Sequence, residues 1–125
     1  LMRVPTLEGD VIYQAHSWDG GQTWEPPRKT GIEGLPPNLL QLRDGRILCT
    51  YGYRRTPYEI RACLSYNEGI TWETDKLMVI RANGGGWDIG YPSTVQLSGG
   101  DLFTVYYWYD AEDKTRGIEG TRWKI

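Results

Sequence analysis

The chain has 125 residues, 39% of them hydrophobic and 24% charged, with a net charge of −2, which is the balance of one globular domain. That charge gives no basis for nucleic acid or an anionic membrane as partner, and no stretch is long and apolar enough for a membrane-spanning helix. Six Trp and nine Tyr stand against one Phe, a choice of amphipathic aromatics that suits a β-rich fold and also the stacking of sugars.

Residues 1–3 read as the end of a strand. Gly9-Asp10 precede a short strand over 11–16, followed by Ser17-Trp18-Asp19-Gly20-Gly21-Gln22-Thr23-Trp24. A second short strand is expected after Trp24 and is ended by Glu25-Pro26-Pro27. Residues 28–37, with Gly31, Gly34, Pro36 and Pro37, read as a crossing loop. Residues 39–42 and 46–53 form a hairpin around Arg43-Asp44-Gly45, because Asp-Gly between apolar runs favours a tight turn. A strand over 59–64 leads into Ser65-Tyr66-Asn67-Glu68-Gly69-Ile70-Thr71-Trp72, and residues 77–80 follow as an outer strand. The hairpin then recurs as 94–97, Ser98-Gly99-Gly100 and 101–109, and residues 115–125 make a last strand. No segment has helical periodicity.

The two eight-residue segments match from Ser17 to Ser65 and from Trp24 to Trp72, an offset of 48 residues. Repeats of about 40–50 residues with several short strands each are the mark of a β-propeller. Ser and Asp can tie a tight turn through nearby amides, Asn67 can replace Asp, and glycine permits positive φ. With blade strands labelled a to d outwards, the order is c, d; a, b, c, d; a, b, c. The expectation is an all-β chain of antiparallel four-stranded blades in a partial propeller, one full blade flanked by two partial ones. The units fall at about 1–30, 36–80 and 90–125. Such a piece leaves sheet edges and blade faces open, so self-association or a missing propeller half is expected as partner. Cys49 and Cys63 fall on adjacent strands and read as reduced, half-buried thiols, with a cross-strand bridge as the alternative.

The repeated S-x-D-x-G-x-T-W segment is the Asp-box, or BNR repeat, and over nearly its whole length the chain resembles the sialidase superfamily of six-bladed propellers, in its C-terminal portion. The box itself reports architecture. The resemblance implies a glycoside hydrolase acting on a terminal acidic sugar, with arginines clamping the carboxylate and a tyrosine as nucleophile, an exception to the usual carboxylate pair. Gly90-Tyr91-Pro92-Ser93-Thr94-Val95-Gln96-Leu97 resembles the run that carries that tyrosine, which makes Tyr91 the catalytic candidate; Pro92 departs from the commonest pattern. Arg54 and Arg55 occupy the place of the third arginine. Arg3, fourteen residues before Ser17, falls at that of the second.

Trp87 offers a stacking face, and Asp88 either lines the same pocket and tunes Tyr91 or shapes the turn. The activating glutamate, the acid/base aspartate and the first arginine are expected upstream of Leu1, so the chain alone is expected to be inactive. Neither a metal nor a cofactor is implied, and His16 reads as a surface or packing residue. The alternatives are a non-catalytic carbohydrate-binding propeller and a protein-binding scaffold.

Overall fold

The computed structural model describes residues 1–6 and 9–125, with the backbone alone at Arg3, Pro5 and Thr6. Its strands form three consecutive antiparallel sheets. The first is β1 (Met2–Thr6), β2 (Gly9–Gln14) and β3 (Arg28–Glu33). The second is β4 (Pro37–Gln41), β5 (Ile47–Tyr53), β6 (Glu59–Ser65) and β7 (Met78–Arg81). The third is β8 (Gly90–Gln96), β9 (Leu102–Tyr109) and β10 (Arg116–Trp123). The chain is thus all-β, with a four-stranded sheet between two three-stranded ones, and no helix occurs among the described residues. The three sheets do not close into a ring; their arrangement is compatible with consecutive propeller blades.

One expectation about the strands fails. Residues 28–33 are not part of a crossing loop but the outer strand β3, and residues 24–27 are not strand. Gly31, at φ 82°, lies where the register of β2 against β3 shifts between Val11 and Tyr13. A bulge of this kind lets glycine sit inside a strand. Thr30 fills the gap, its Oγ1 donating to the Ile12 carbonyl (2.7 Å) and accepting from the Ile32 amide (3.0 Å). Ile32 is then buried in the seam with the second sheet.

Burial patterns order the sheets. In β5 and β6 nearly every residue is buried, because both faces of the second sheet are covered. In β9 the pattern alternates: Leu102, Thr104, Tyr106 and Trp108 face inward, and Phe103 and Val105 face out. Ile12 and Ile32 meet Cys49, Tyr51 and Cys63 across the first seam. Leu48, Ala62 and Leu64 meet Leu102, and Ile60 meets Ile89, Tyr106 and Trp108, across the second. A column of buried hydroxyls pins that second seam: Thr50 Oγ1 to Thr94 Oγ1 (3.1 Å), Thr94 Oγ1 to Thr104 Oγ1 (2.9 Å), with Trp123 Nε1 donating to Thr104 Oγ1 (2.9 Å). Cys49 and Cys63 lie opposite each other in register as free thiols. Both are completely buried, not half-buried, because the first sheet covers that face of the second.

The two boxes fold alike. Ser17 Oγ donates to Asp19 Oδ1 (2.9 Å) and accepts from the Gly21 amide (2.7 Å); Asp19 Oδ1 accepts from the Thr23 amide (2.9 Å) and Oδ2 from its hydroxyl (2.6 Å). Ser65, Asn67, Gly69 and Thr71 repeat the pattern at 3.0, 2.9 and 2.9 Å, with Asn67 Nδ2 donating to Thr71 Oγ1 (2.8 Å).

These bonds favour the ionised carboxylate, and the Thr23 hydroxyl and amide, then Ser17, hold the Asp19 carboxyl down at about 2 against an ordinary 3.8. A depressed folded pKa gives stability that is present above the unfolded pKa and lost as pH falls through the folded one. Asp19→Asn, which installs the residue of the second box, is expected to melt close to the wild type at neutral pH. Asp19→Ala is expected to melt lower, with the gap to wild type closing between pH 4 and 2, roughly the interval between the two pKa values. Thermal melts across that range check this; a gap independent of pH sinks it.

Candidate functional site

The sequence candidates collect where β5 ends and β8 begins. Arg54 follows β5 directly, and its Nε donates to the carbonyl of Ile89 (2.8 Å). This bond crosses from the second sheet to the third. Ile89 is completely buried, so its carbonyl needs such a partner. The anchored guanidinium then lies over the ring of Tyr91, 5.2 Å from its centroid, a cation–π arrangement. Close approach of the two sheets requires small residues here: a Cβ on Gly52 would come within 2.9 Å of the Gly90 Cα.

Tyr91 is presented by a local irregularity. The pairing of β8 with β9 shifts between Gly90 and Ser93, and Tyr91 takes φ 52°. A bulge re-aims a side chain, and a non-glycine residue in the left-handed region is a strained position found preferentially at functional sites. Tyr91 is 58% exposed while Pro92, next to it, is buried. Pro92 therefore occupies the inward side of the bulge.

Arg54 and Arg55 separate. Arg55 is exposed, and a Cβ on Gly9 would collide with its guanidinium, which places it at the seam of the first and second sheets. Both arginines border a small cleft there with Asp10, Glu33, Gly34 and Tyr53. Of the two, Arg54 is the one whose guanidinium lies over Tyr91. Arg3 is opposite Ile12 in β1, the register position that Gly52 holds opposite Ile60 in the second sheet; its side chain lies outside the described residues.

Gly84, Gly85 and Gly86 lay the chain flat against the end of β9. The Gly85 amide donates to the Tyr109 carbonyl (2.8 Å), and a Cβ on Gly85 would stand 2.7 Å from the Asp110 carbonyl oxygen. This run delivers Trp87, 64% exposed, and Asp88 to the surface a few residues before Tyr91 in the chain. Asp88 Oδ2 accepts from Arg116 Nε (3.0 Å) and from the Tyr107 hydroxyl (3.2 Å). Burial and then the Asp88 carboxylate push the Tyr107 hydroxyl up from its usual value, so it stays a proton donor. Arg116 lies 4.2 Å over the Tyr109 ring.

Arg116, Tyr107 and Tyr109 are absent from the sequence candidates. The alternation of β9 puts residues 107 and 109 on one face and is the signal that could have found the two tyrosines. No motif marks Arg116. Two guanidinium groups thus bracket the five-residue segment from Trp87 to Tyr91. They differ electrostatically. Arg116 is paired with Asp88, whereas Arg54 has no carboxylate partner among the described residues. Among the described residues no cluster of His, Cys, Asp and Glu could hold a metal ion.

No family model and no curated protein matches the sequence. The chain is similar to a crystal structure of a protein of unknown function from Dyadobacter fermentans, with 35% sequence identity and a TM-score of 0.77 over 89% of this chain. It spans 30% of the length of that protein.

Proposed function

We propose that this chain is part of a sialidase-like glycoside hydrolase, a β-propeller with Asp-box repeats that acts on a terminal acidic sugar. The observation that carries the reading is the Arg54 guanidinium, which has no carboxylate partner among the described residues and is held over the exposed ring of Tyr91 at 5.2 Å. A planar guanidinium makes paired, charge-assisted bonds to a carboxylate. A phenol beside it carries no negative charge that would repel the same ligand. The matching hydrogen bonds of the two boxes and the succession of sheets support the propeller, and the open faces of the first and third sheets are where neighbouring blades, from the same polypeptide or a second copy, would pack.

The alternative is a carbohydrate-binding propeller without catalysis, and one observation favours it for the chain as described. A tyrosine nucleophile needs an adjacent base. Among the described residues no carboxylate meets the Tyr91 hydroxyl, and Asp88 is engaged by Arg116 and Tyr107. A scaffold that binds protein alone has no such observation behind it.

Calorimetric titration with methyl α-sialoside and methyl β-galactoside tests the reading. The acidic sugar is expected to bind and the neutral one not, Tyr91→Phe is expected to retain binding, and a fluorogenic sialoside is expected to survive incubation with this chain. Flat titrations with both sugars sink the carbohydrate reading, and hydrolysis of the fluorogenic substrate sinks the claim that this stretch is inactive alone.

A further inference from the structure

We infer that Asn38 is a positioning residue for Tyr91: with Thr50 it clamps the strand that carries the tyrosine to the second sheet, and so keeps the ring beneath the Arg54 guanidinium. The inference deepens the reading above, because it concerns the same tyrosine and arginine, but the clamp itself needs no ligand. Its first observation is that strand pairing alone does not place Tyr91. Between Gly90 and Ser93 the register of β8 against β9 shifts, and Tyr91 takes φ 52° within that stretch. A bulged residue is left out of the ladder. A non-glycine residue in the left-handed region persists only where its surroundings over-determine it.

The second observation is that the second sheet holds both ends of the irregular stretch. Two residues before Tyr91, Arg54 Nε donates to the Ile89 carbonyl (2.8 Å). Three residues after it, the Thr94 amide donates to Asn38 Oδ1 (3.2 Å), and Thr94 Oγ1 lies 3.1 Å from Thr50 Oγ1. Asn38 and Thr50 are opposite each other in the pairing of β4 with β5, and opposite residues present their side chains on one face. One rung of the second sheet therefore meets both the amide and the hydroxyl of Thr94. Between the two ends, a Cβ on Gly90 would stand 3.4 Å from Arg54 Nη2. The backbone just before Tyr91 thus rests on the same guanidinium that covers its ring. Thr50 and Thr94 are buried, so loss of the Asn38 oxygen leaves the Thr94 amide without that acceptor in a closed seam. The end of the bulge away from Arg54 is then released.

The test places 3-fluorotyrosine at position 91 and compares fluorine spectra of the wild type, Arg54→Ala, Asn38→Leu and Asn38→Asp. Arg54→Ala defines the resonance of a ring with no guanidinium over it. Asn38→Leu keeps the size and loses the acceptor, and is expected to move the resonance most of the way to that position. Asn38→Asp keeps an acceptor oxygen and is expected to stay with the wild type. Without the label, Asn38→Leu is expected to bind methyl α-sialoside about tenfold more weakly, the upper end of what one hydrogen bond contributes, and Asn38→Asp to recover the affinity to within about twofold. Circular dichroism confirms that each variant is folded; Thr50→Val, which removes the hydroxyl of the same rung and is expected to move the resonance the same way, keeps the test open if Asn38→Leu is not. A resonance unmoved by Asn38→Leu, or moved equally by Asn38→Asp, overturns the inference, as does a sialoside affinity that Asn38→Leu leaves unchanged. A resonance that moves as expected in a chain that binds no sialoside leaves the clamp standing and overturns the acidic-sugar reading.

Discussion

Trp72→Ala is expected to cost about 3 kcal/mol of folding stability, the usual range for emptying a packed aromatic site, while Trp24→Ala is expected to change it by less than ~0.5 kcal/mol. The two residues hold the same place in the same motif. Trp72 packs against the cluster of Ile12, Ile32, Cys49, Tyr51 and Cys63, and its Nε1 donates to Gln14 Oε1 (2.7 Å). Gln14 is 2% exposed and also donates to the Gly69 carbonyl (2.7 Å). Removing the indole therefore leaves both a void and a buried acceptor without a partner, and the two penalties act together. His16 at the Glu68 carbonyl and Arg28 at the Ile70 carbonyl complete the docking of the second box on the first sheet.

Trp24 has no sheet against it. It is 65% exposed, its Nε1 returns to Gly21 of its own turn (3.2 Å), and with Met2, Pro26 and Pro27 it lines an open apolar groove. The difference between the two tryptophans is therefore one of neighbours and not of local structure. Urea unfolding of both variants reads it directly; equal destabilisation contradicts the role assigned to the seam. The same groove is an open apolar surface. If copies of the chain meet there, Trp24→Ala lowers the association seen by sedimentation while leaving dilute unfolding unchanged.

The strand pattern was legible from alternation and turn chemistry, because each box and each Gly-containing hairpin dictates its own geometry locally. β3 was not. Glycine and the prolines on either side of it argue for a loop, and only the bulge with its Thr30 bonds shows why the chain stays extended. The complete burial of Cys49 and Cys63 depends on the first sheet covering the second, which no local signal carries. At the site, Tyr91 and the Arg54/Arg55 pair were visible in the sequence, but which arginine turns towards the tyrosine was not. That choice is made by a buried carbonyl, at Ile89, which requires a donor from across the seam. Asp88 had two readings, and the structure engages it with Tyr107 and Arg116, 19 and 28 residues further along the chain.

Arg54→Lys is expected to weaken binding of methyl α-sialoside about thirtyfold, the loss of roughly one charge-assisted bond and its orientation. Lysine keeps the charge, so a purely electrostatic role predicts a small change. Two features of arginine are used here, and lysine has neither. The guanidinium spends its Nε on the Ile89 carbonyl (2.8 Å), and its central carbon lies over the Tyr91 ring, 5.2 Å from the centroid. An ammonium that satisfies the buried carbonyl is drawn away from the ligand; one that meets the ligand leaves the carbonyl unpaired. The substitution therefore forces a choice that arginine avoids. Arg55→Lys serves as the comparison, because that guanidinium lies against Gly9 of the first sheet, and its effect is expected to stay within about twofold. Raising the salt concentration separates the contributions further: long-range attraction is screened at ionic strengths where a contact bond persists. An Arg54→Lys variant that binds as the wild type does at high salt would reduce Arg54 to a point charge and remove the geometric basis for carboxylate recognition at Tyr91.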